Sequence, residues 1–102
     1  MNVDAVFTAL ADPTRREVIA ALAREPRLTA SRLAGGLPVT RQAVAKHLAT
    51  LDRAGLVRAS HVGRETRYEL TPAPLGEAME WMAGVGARWD SSLARLAERA
   101  RQ

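Results

Sequence analysis

The strongest constraint on this chain sits at its C-terminal end. From Leu75 onward, Met79, Met82, Gly86, Trp89, Leu93, Leu96 and Ala100 follow one another in alternating steps of four and three, the heptad spacing that lines up one stripe along a helix. Thr71-Pro72-Ala73-Pro74 interrupts what precedes it, so the spacing predicts a final helix over 74–101, about 27 residues and roughly 40 Å at 1.5 Å per residue. The chain has 102 residues, room for one domain over 1–102 and not for two. A domain of that size cannot cover a stripe of that length, and the surplus is expected to bury against a second copy. Met79, Met82, Trp89, Leu93 and Leu96 are expected there, because methionine fills irregular gaps and tryptophan is favoured at interfaces. Trp81 joins Trp89, Met79 and Met82 in the alternative, an effector pocket between the long helices. Gly84 and Gly86 each weaken the helix by about 1 kcal/mol relative to alanine, which points to close helix approach or a bend.

The rest of the chain reads as short helices and one hairpin. Val3, Val6, Phe7 and Leu10 have the spacing of a single apolar helix stripe. Asp12-Pro13 reads as an N-cap with proline at the first helical position, opening a second helix with Val18, Ile19 and Leu22 inward, ended by Pro26. Thr29 caps a short third helix carrying Leu33, which Gly35-Gly36-Leu37-Pro38 must break. Thr40 caps a fourth helix over 41–54 with Val44, Leu48 and Leu51 inward, and Gly55 stands where a left-handed residue closes a helix. After Gly55 the apolar period drops to two. With Gly63-Arg64 as a two-residue turn, Val62 faces Glu65, and counting outward sets Arg58 across from Glu69. Val57, Ala59, His61, Thr66, Tyr68 and Leu70 then share one face of the hairpin, and Arg58, Ser60, Arg67 and Glu69 share the other.

Composition narrows what such a domain does. The net charge of +4 is uneven: eleven Lys and Arg stand against four acids between Pro13 and Arg67, a local +7, whereas Met1–Asp12 carries −2 and Tyr68–Gln102 carries −1. A cationic middle points to a polyanionic partner. Aromatic residues make up 4%, too few for a platform that stacks single-stranded bases. With no cysteine there is no disulfide, thiolate metal site or thiol redox switch, and a cytoplasmic address is expected. No run approaches the roughly 18 apolar residues of a membrane span, so no membrane partner is expected, and the acidic start Met1-Asn2-Val3-Asp4 is unlike a signal peptide. Enzyme chemistry lacks its parts: no Ser or Cys in an activating motif, no Gly-rich phosphate loop and no singled-out carboxylate pair.

A short helix, a turn, a second helix and a basic hairpin make a winged helix-turn-helix plan: mainly α, about five helices with a two-stranded wing and a long C-terminal dimerisation helix. Stepping about 100° per residue from Val44 as the core direction puts Leu48 and Leu51 at about 40° and −20°, and Gln42, Lys46, Ala49 and Arg53 between about 140° and 200°. That outer face is polar and free of acids. Ala45 and Ala49 are small enough to let the backbone approach a groove floor, while Arg41 and Gln42 have the bidentate geometry that reads guanine and adenine edges. Arg64 at the hairpin tip, with Arg67 behind it, suits an adjacent minor groove or its phosphates. Arg15, Arg16 and Arg53 suit backbone contacts that fix register without reading sequence, or plain surface ion pairs. His47 lies about 60° off the core direction, which suits a packed or hydrogen-bonded imidazole, and His61 reads as an ordinary strand residue.

Ala9-Leu10-Ala11-Asp12-Pro13-Thr14-Arg15-Arg16, Leu33-Ala34, Thr40 to Leu51, Ala54-Gly55-Leu56-Val57 and Gly63-Arg64 together resemble the ArsR family of bacterial winged-helix repressors, over Val6 to about Leu75. The resemblance implies a homodimer on a palindromic operator in double-stranded DNA, with the first and last helices (1–11 and 74–101) as the dimer interface and 13–71 as helix-turn-helix and wing. It adds Val6 and Phe7 to the interface and implies DNA contact by Thr40, Arg41, Gln42, Ala45 and Lys46, with His47 as a phosphate donor. Many members sense a metal through cysteines before the recognition helix; Leu28 to Leu37 has none, and the last helix has Asp90 and Glu98 but no histidine. Neither a metal nor any other cofactor is carried over. Two rivals keep the fold: a repressor released by a small organic effector in the dimer cleft, and a winged-helix module that docks an acidic protein.

Overall fold

The computed structural model describes residues 3–101. Met1 and Asn2, the start of the expected 1–11 helix, and Gln102, the end of the expected domain, lie outside the described residues. In chain order the elements are α1 (Val3–Leu10), α2 (Pro13–Arg24), β1 (Leu28–Thr29), α3 (Ala30–Gly35), α4 (Arg41–Arg53), β2 (Val57–Val62), β3 (Glu65–Leu70) and α5 (Ala73–Ala100).

Local chemistry sets the boundaries. The side chains of Asp12, Thr29 and Thr40 accept the backbone N–H of Arg15, Arg32 and Ala43, each at 3.1 Å, and so start α2, α3 and α4. At the far end of α4, Gly55 takes φ 77°, its N–H donates to Asp52 O and the Leu56 N–H donates to Leu51 O, both at 2.9 Å, closing the last carbonyls in a Schellman motif. Gly63, at φ 62°, turns the hairpin. The observed register is the expected one, Val62 opposite Glu65 and Arg58 opposite Glu69, and Arg58 donates to the Glu69 carboxylate across the strands.

The sheet departs from expectation in one respect. It has three strands rather than two, in the order β1-β3-β2, because Leu28 and Thr29 pair with Tyr68 and Arg67. Two residues are too few to show a period, so this strand carries no sequence signal of its own. It fastens the middle of β3 to the segment between α2 and α3.

Val6, Val18, Leu22, Leu33, Val44, Leu48, Leu51, Leu56 and Val57 form one core, each at most 3% exposed. The corner between α1 and α2 is tied to it by two arginines. Arg15 Nε donates to Ala9 O at 2.6 Å and its Nη2 to Thr8 O at 3.1 Å, while Arg16 Nη1 donates to Leu10 O at 2.6 Å. These cations sit where the last carbonyls of α1 leave unpaired acceptors and negative partial charge. α5 packs on α1 through its first turns, and Ala78 is its one buried residue among those described. Beyond that it projects, and the molecule measures 70 × 26 × 21 Å. No helix among the described residues is long and apolar enough to cross a membrane.

Two predictions test the corner. Arg15→Ala removes both bonds to α1 and should cost about 1–3 kcal/mol, read as a lower urea midpoint at unchanged slope. The Arg15 backbone N–H, with the nearby charge of His47 adding to it, holds the Asp12 carboxyl below its ordinary 3.8. Its stabilisation is therefore full at neutral pH and lost as pH falls through the folded-state value. Asp12→Ala should be less stable than wild type at pH 7, and the gap should close in acid; a gap unchanged into strong acid would show that the charge is not its source.

Candidate nucleic-acid interface

The rotation of α4 follows from its buried seam. Val44, Leu48 and Leu51 are fully buried, which leaves Arg41, Gln42, Ala45, Lys46, Ala49 and Arg53 exposed on the opposite side. Thr40 is exposed at the helix start, and its Oγ1 accepts the capping N–H of Ala43. His47 is half-buried and lies near the Asp12 carboxylate, so the imidazole belongs to the contact between α4 and the start of α2. Arg53 Nη2 reaches Thr50 Oγ1 at 3.4 Å.

Hydrogen bonds and ion pairs sort the cations, which composition alone treats alike. Arg15 is committed to α1 and to Asp12, and its side chain is only 17% exposed. That places it as a brace of the fold rather than as the free backbone contact expected from its position in the chain. Arg16 is likewise bonded to α1, at an exposed site. Arg67 lies on the face of the hairpin with Glu65, whose carboxylate accepts from its Nε and Nη2 at 3.1 and 3.0 Å. Glu69 accepts from Arg58 and lies 3.9 Å from Arg27; the Arg58 hydrogen bond and charge, with the lesser charge of Arg27, hold its carboxyl below the usual range. By contrast, the side-chain charges of Arg41, Lys46 and Arg64 have no hydrogen-bond or ion-pair partner among the described residues. Arg64 stands exposed at the hairpin turn.

The structure brings the start of α4 and the hairpin together. Arg41 and Ala45 from α4, Arg64, Thr66 and Tyr68 from the hairpin, and Thr29 and Ser31 line one cleft of about 350 Å³. Ser31, Thr66 and Tyr68 were not expected at this surface. The strand period sets Thr66 and Tyr68 on the hairpin face opposite Arg67, away from the expected contact residue, and Ser31 has no pattern around it.

The surface expected to meet a second copy is divided. Met79, Met82, Trp89, Leu93 and Leu96 lie open, from 45% to 65% exposed, with Trp81 and Val85 also exposed. Phe7 is half-buried and meets Trp81 edge-on at 5.7 Å between ring centroids. Val6 corrects the expectation: it is 2% exposed and part of the chain's own core, so it has no surface left to offer another copy. On an isolated α1 the two neighbours share one apolar stripe; the packing of α2 and α5 decides which of them is covered.

Comparison with known proteins agrees with this geometry. Residues 10–59 match the family model of a helix-turn-helix domain. The chain is 38% identical over 92 residues to the HTH-type transcriptional regulator CmtR of Mycobacterium tuberculosis, covering 90% of this chain and 77% of that one. Among solved structures it resembles an ArsR-like transcriptional regulator from Rhodococcus sp. RHA1, with a TM-score of 0.82 and 44% identity over 93% of this chain and 89% of the other. It also resembles the cadmium metal-sensor CMTR from Mycobacterium tuberculosis, with a TM-score of 0.57 and 40% identity over 66% and 68% of the two chains. With its buried α4 seam, free outer face, hairpin wing and long last helix, the chain belongs to the ArsR family of DNA-binding transcriptional regulators.

Proposed function

We propose that this chain is a repressor that occupies a palindromic operator as a homodimer and is not governed by a metal or a thiol. The observation that carries the reading is the set of three unpartnered cations, Arg41, Lys46 and Arg64, around the exposed side of α4 and the wing. Charges left without a partner on one surface, where Arg58 and Arg67 of the wing are paired with acids, suit a polyanion. Gln42 on that face has the donor and acceptor pair that matches adenine, and Ala45 keeps the approach open. His47, half-buried, and Arg53, exposed, flank this face and are proposed to touch phosphates, as Arg16 does beside α2; Arg67 acts there by neutralising Glu65.

The second half of the reading rests on α5. Met79, Met82, Trp89, Leu93 and Leu96 form an exposed apolar row continuous with Phe7 and Trp81, larger than a lone soluble domain ordinarily leaves open. Two copies joined there present two α4 helices, which reach successive major grooves if the half-sites lie roughly one turn, about 34 Å, apart. One relative is a cadmium metal-sensor, yet the donor set here does not suit such an ion. Cadmium-type chemistry favours thiolates, the chain has no cysteine, and its histidines, His47 on α4 and His61 on β2, stand on separate elements with no third donor grouped beside them among the described residues.

Protection mapping of the duplex upstream of its own gene supplies the probe. On the protected duplex the wild-type protein should bind with a log affinity against log salt slope near −5 to −7, for about six to eight phosphate contacts. Gln42→Ala should weaken the protected duplex by about tenfold or more and a scrambled duplex much less; equal losses on both would refute base reading at Gln42, and a wild-type protein with no sequence preference would favour the protein-docking rival. Sedimentation at micromolar concentration should give a dimer, and Leu93→Glu should shift it to monomer and abolish operator binding. A wild-type monomer would overturn the assembly.

A further inference from the structure

The cleft between α4 and the wing holds more than the sequence assigned to it. Arg41 approaches from the helix and Arg64 from the hairpin turn, so two free guanidiniums from separate elements border one space of about 350 Å³. Tyr68 forms part of its wall. The ring is packed on the core, while the hydroxyl makes no hydrogen bond within the described chain and is not sealed from solvent. Ser31 likewise offers an unengaged, exposed hydroxyl. Thr66 Oγ1 lies 3.1 Å from His61 Nδ1, which holds its side chain in place on the same wall. Glu65 also borders the space and would repel an anion. Its carboxylate, however, is neutralised by two bonds from Arg67.

We propose that this cleft seats one phosphodiester of the bound duplex, between the major-groove segment under α4 and the minor groove under the wing, with the hydroxyls of Tyr68 and Ser31 donating to it and Arg41 and Arg64 holding it from two sides. The proposal rests on the DNA-binding reading above and changes the role of one residue within it. Arg41, whose type and position suit guanine recognition, grips the backbone instead and leaves base reading to Gln42. An arginine on a phosphate fixes register without telling one sequence from another. The shared seat also makes wing and helix dock together, since a single group is held by both.

The test is fluorescence anisotropy of the full chain with the protected duplex and with a random duplex of equal length, over a range of salt. Tyr68→Phe keeps the packed ring and removes one neutral donor to a charged group; it should weaken both duplexes alike, by about tenfold, with the salt slope unchanged because no counterion is released. Arg41→Ala should also weaken both alike, and make the slope less steep by about one. An unchanged thermal melt shows that Tyr68→Phe folds. Binding of Tyr68→Phe within twofold of wild type, or a loss in Arg41→Ala confined to the protected duplex, would overturn the seat while leaving the regulator reading intact. Failure of wild type to bind any duplex would overturn the reading itself. Titration of wild type with inorganic phosphate alone, without DNA, should show no saturable binding by calorimetry; saturable binding that Tyr68→Phe abolishes, with duplex binding of that variant unchanged, would mean a site for the free anion rather than for DNA.

Discussion

Everything the outer surface of this molecule can touch depends on how α4 is rotated, and that rotation is set by close packing. Val44, Leu48 and Leu51 are sealed in the same core as Val18, Leu22 and Leu56, each side chain contributing on the order of 1.5–3 kcal/mol by leaving water. A helix held on one side by three such contacts cannot turn about its axis without opening cavities. Gln42, Ala45 and Lys46 therefore face outward as a consequence of what faces inward. The cap at Thr40 and the left-handed Gly55 limit the helix to the stretch that carries both faces.

Charge is organised with the same economy. The surplus of basic residues in the middle of the chain suggests a broadly cationic surface, but six of the eleven basic side chains there are engaged by acids or carbonyls of the protein. Arg15 and Arg16 satisfy the end of α1, Glu69 engages Arg58 and Arg27, Glu65 holds Arg67, and Glu25 lies 3.5 Å from Arg32. The wing's two acids thus confine its field to the tip, where Arg64 stands alone. An exposed ion pair adds little stability; here its effect is to decide where the remaining positive charge is concentrated.

The long last helix is the part of the structure that its own chain leaves incomplete. Its first turns are held by α1, with Phe7 against Trp81 and Ala78 buried, and the rest carries its apolar row into solvent. Gly84 and Gly86 lie in this stretch with nothing within 4 Å of where a Cβ would stand. Nothing among the described residues accounts for their cost to the helix. They are placed where another backbone can come near.

Much of this architecture is legible in the sequence because the interactions that set it are short in range. Each N-cap reaches three residues forward, the Schellman closure spans five, the hairpin register follows by counting from Gly63-Arg64, and the seam of α4 repeats with the helix. Those features, and with them the outward face of α4 and the over-long apolar stripe, are determined by the chain as written. What tertiary structure decided lies between residues far apart: the pairing of Leu28-Thr29 with Arg67 and Tyr68, the burial of Val6 but not of Phe7, and the division of the arginines into braces and free charges. A guanidinium at the end of a flexible side chain takes whichever acceptor the fold brings within reach, and spacing in the sequence does not encode that choice.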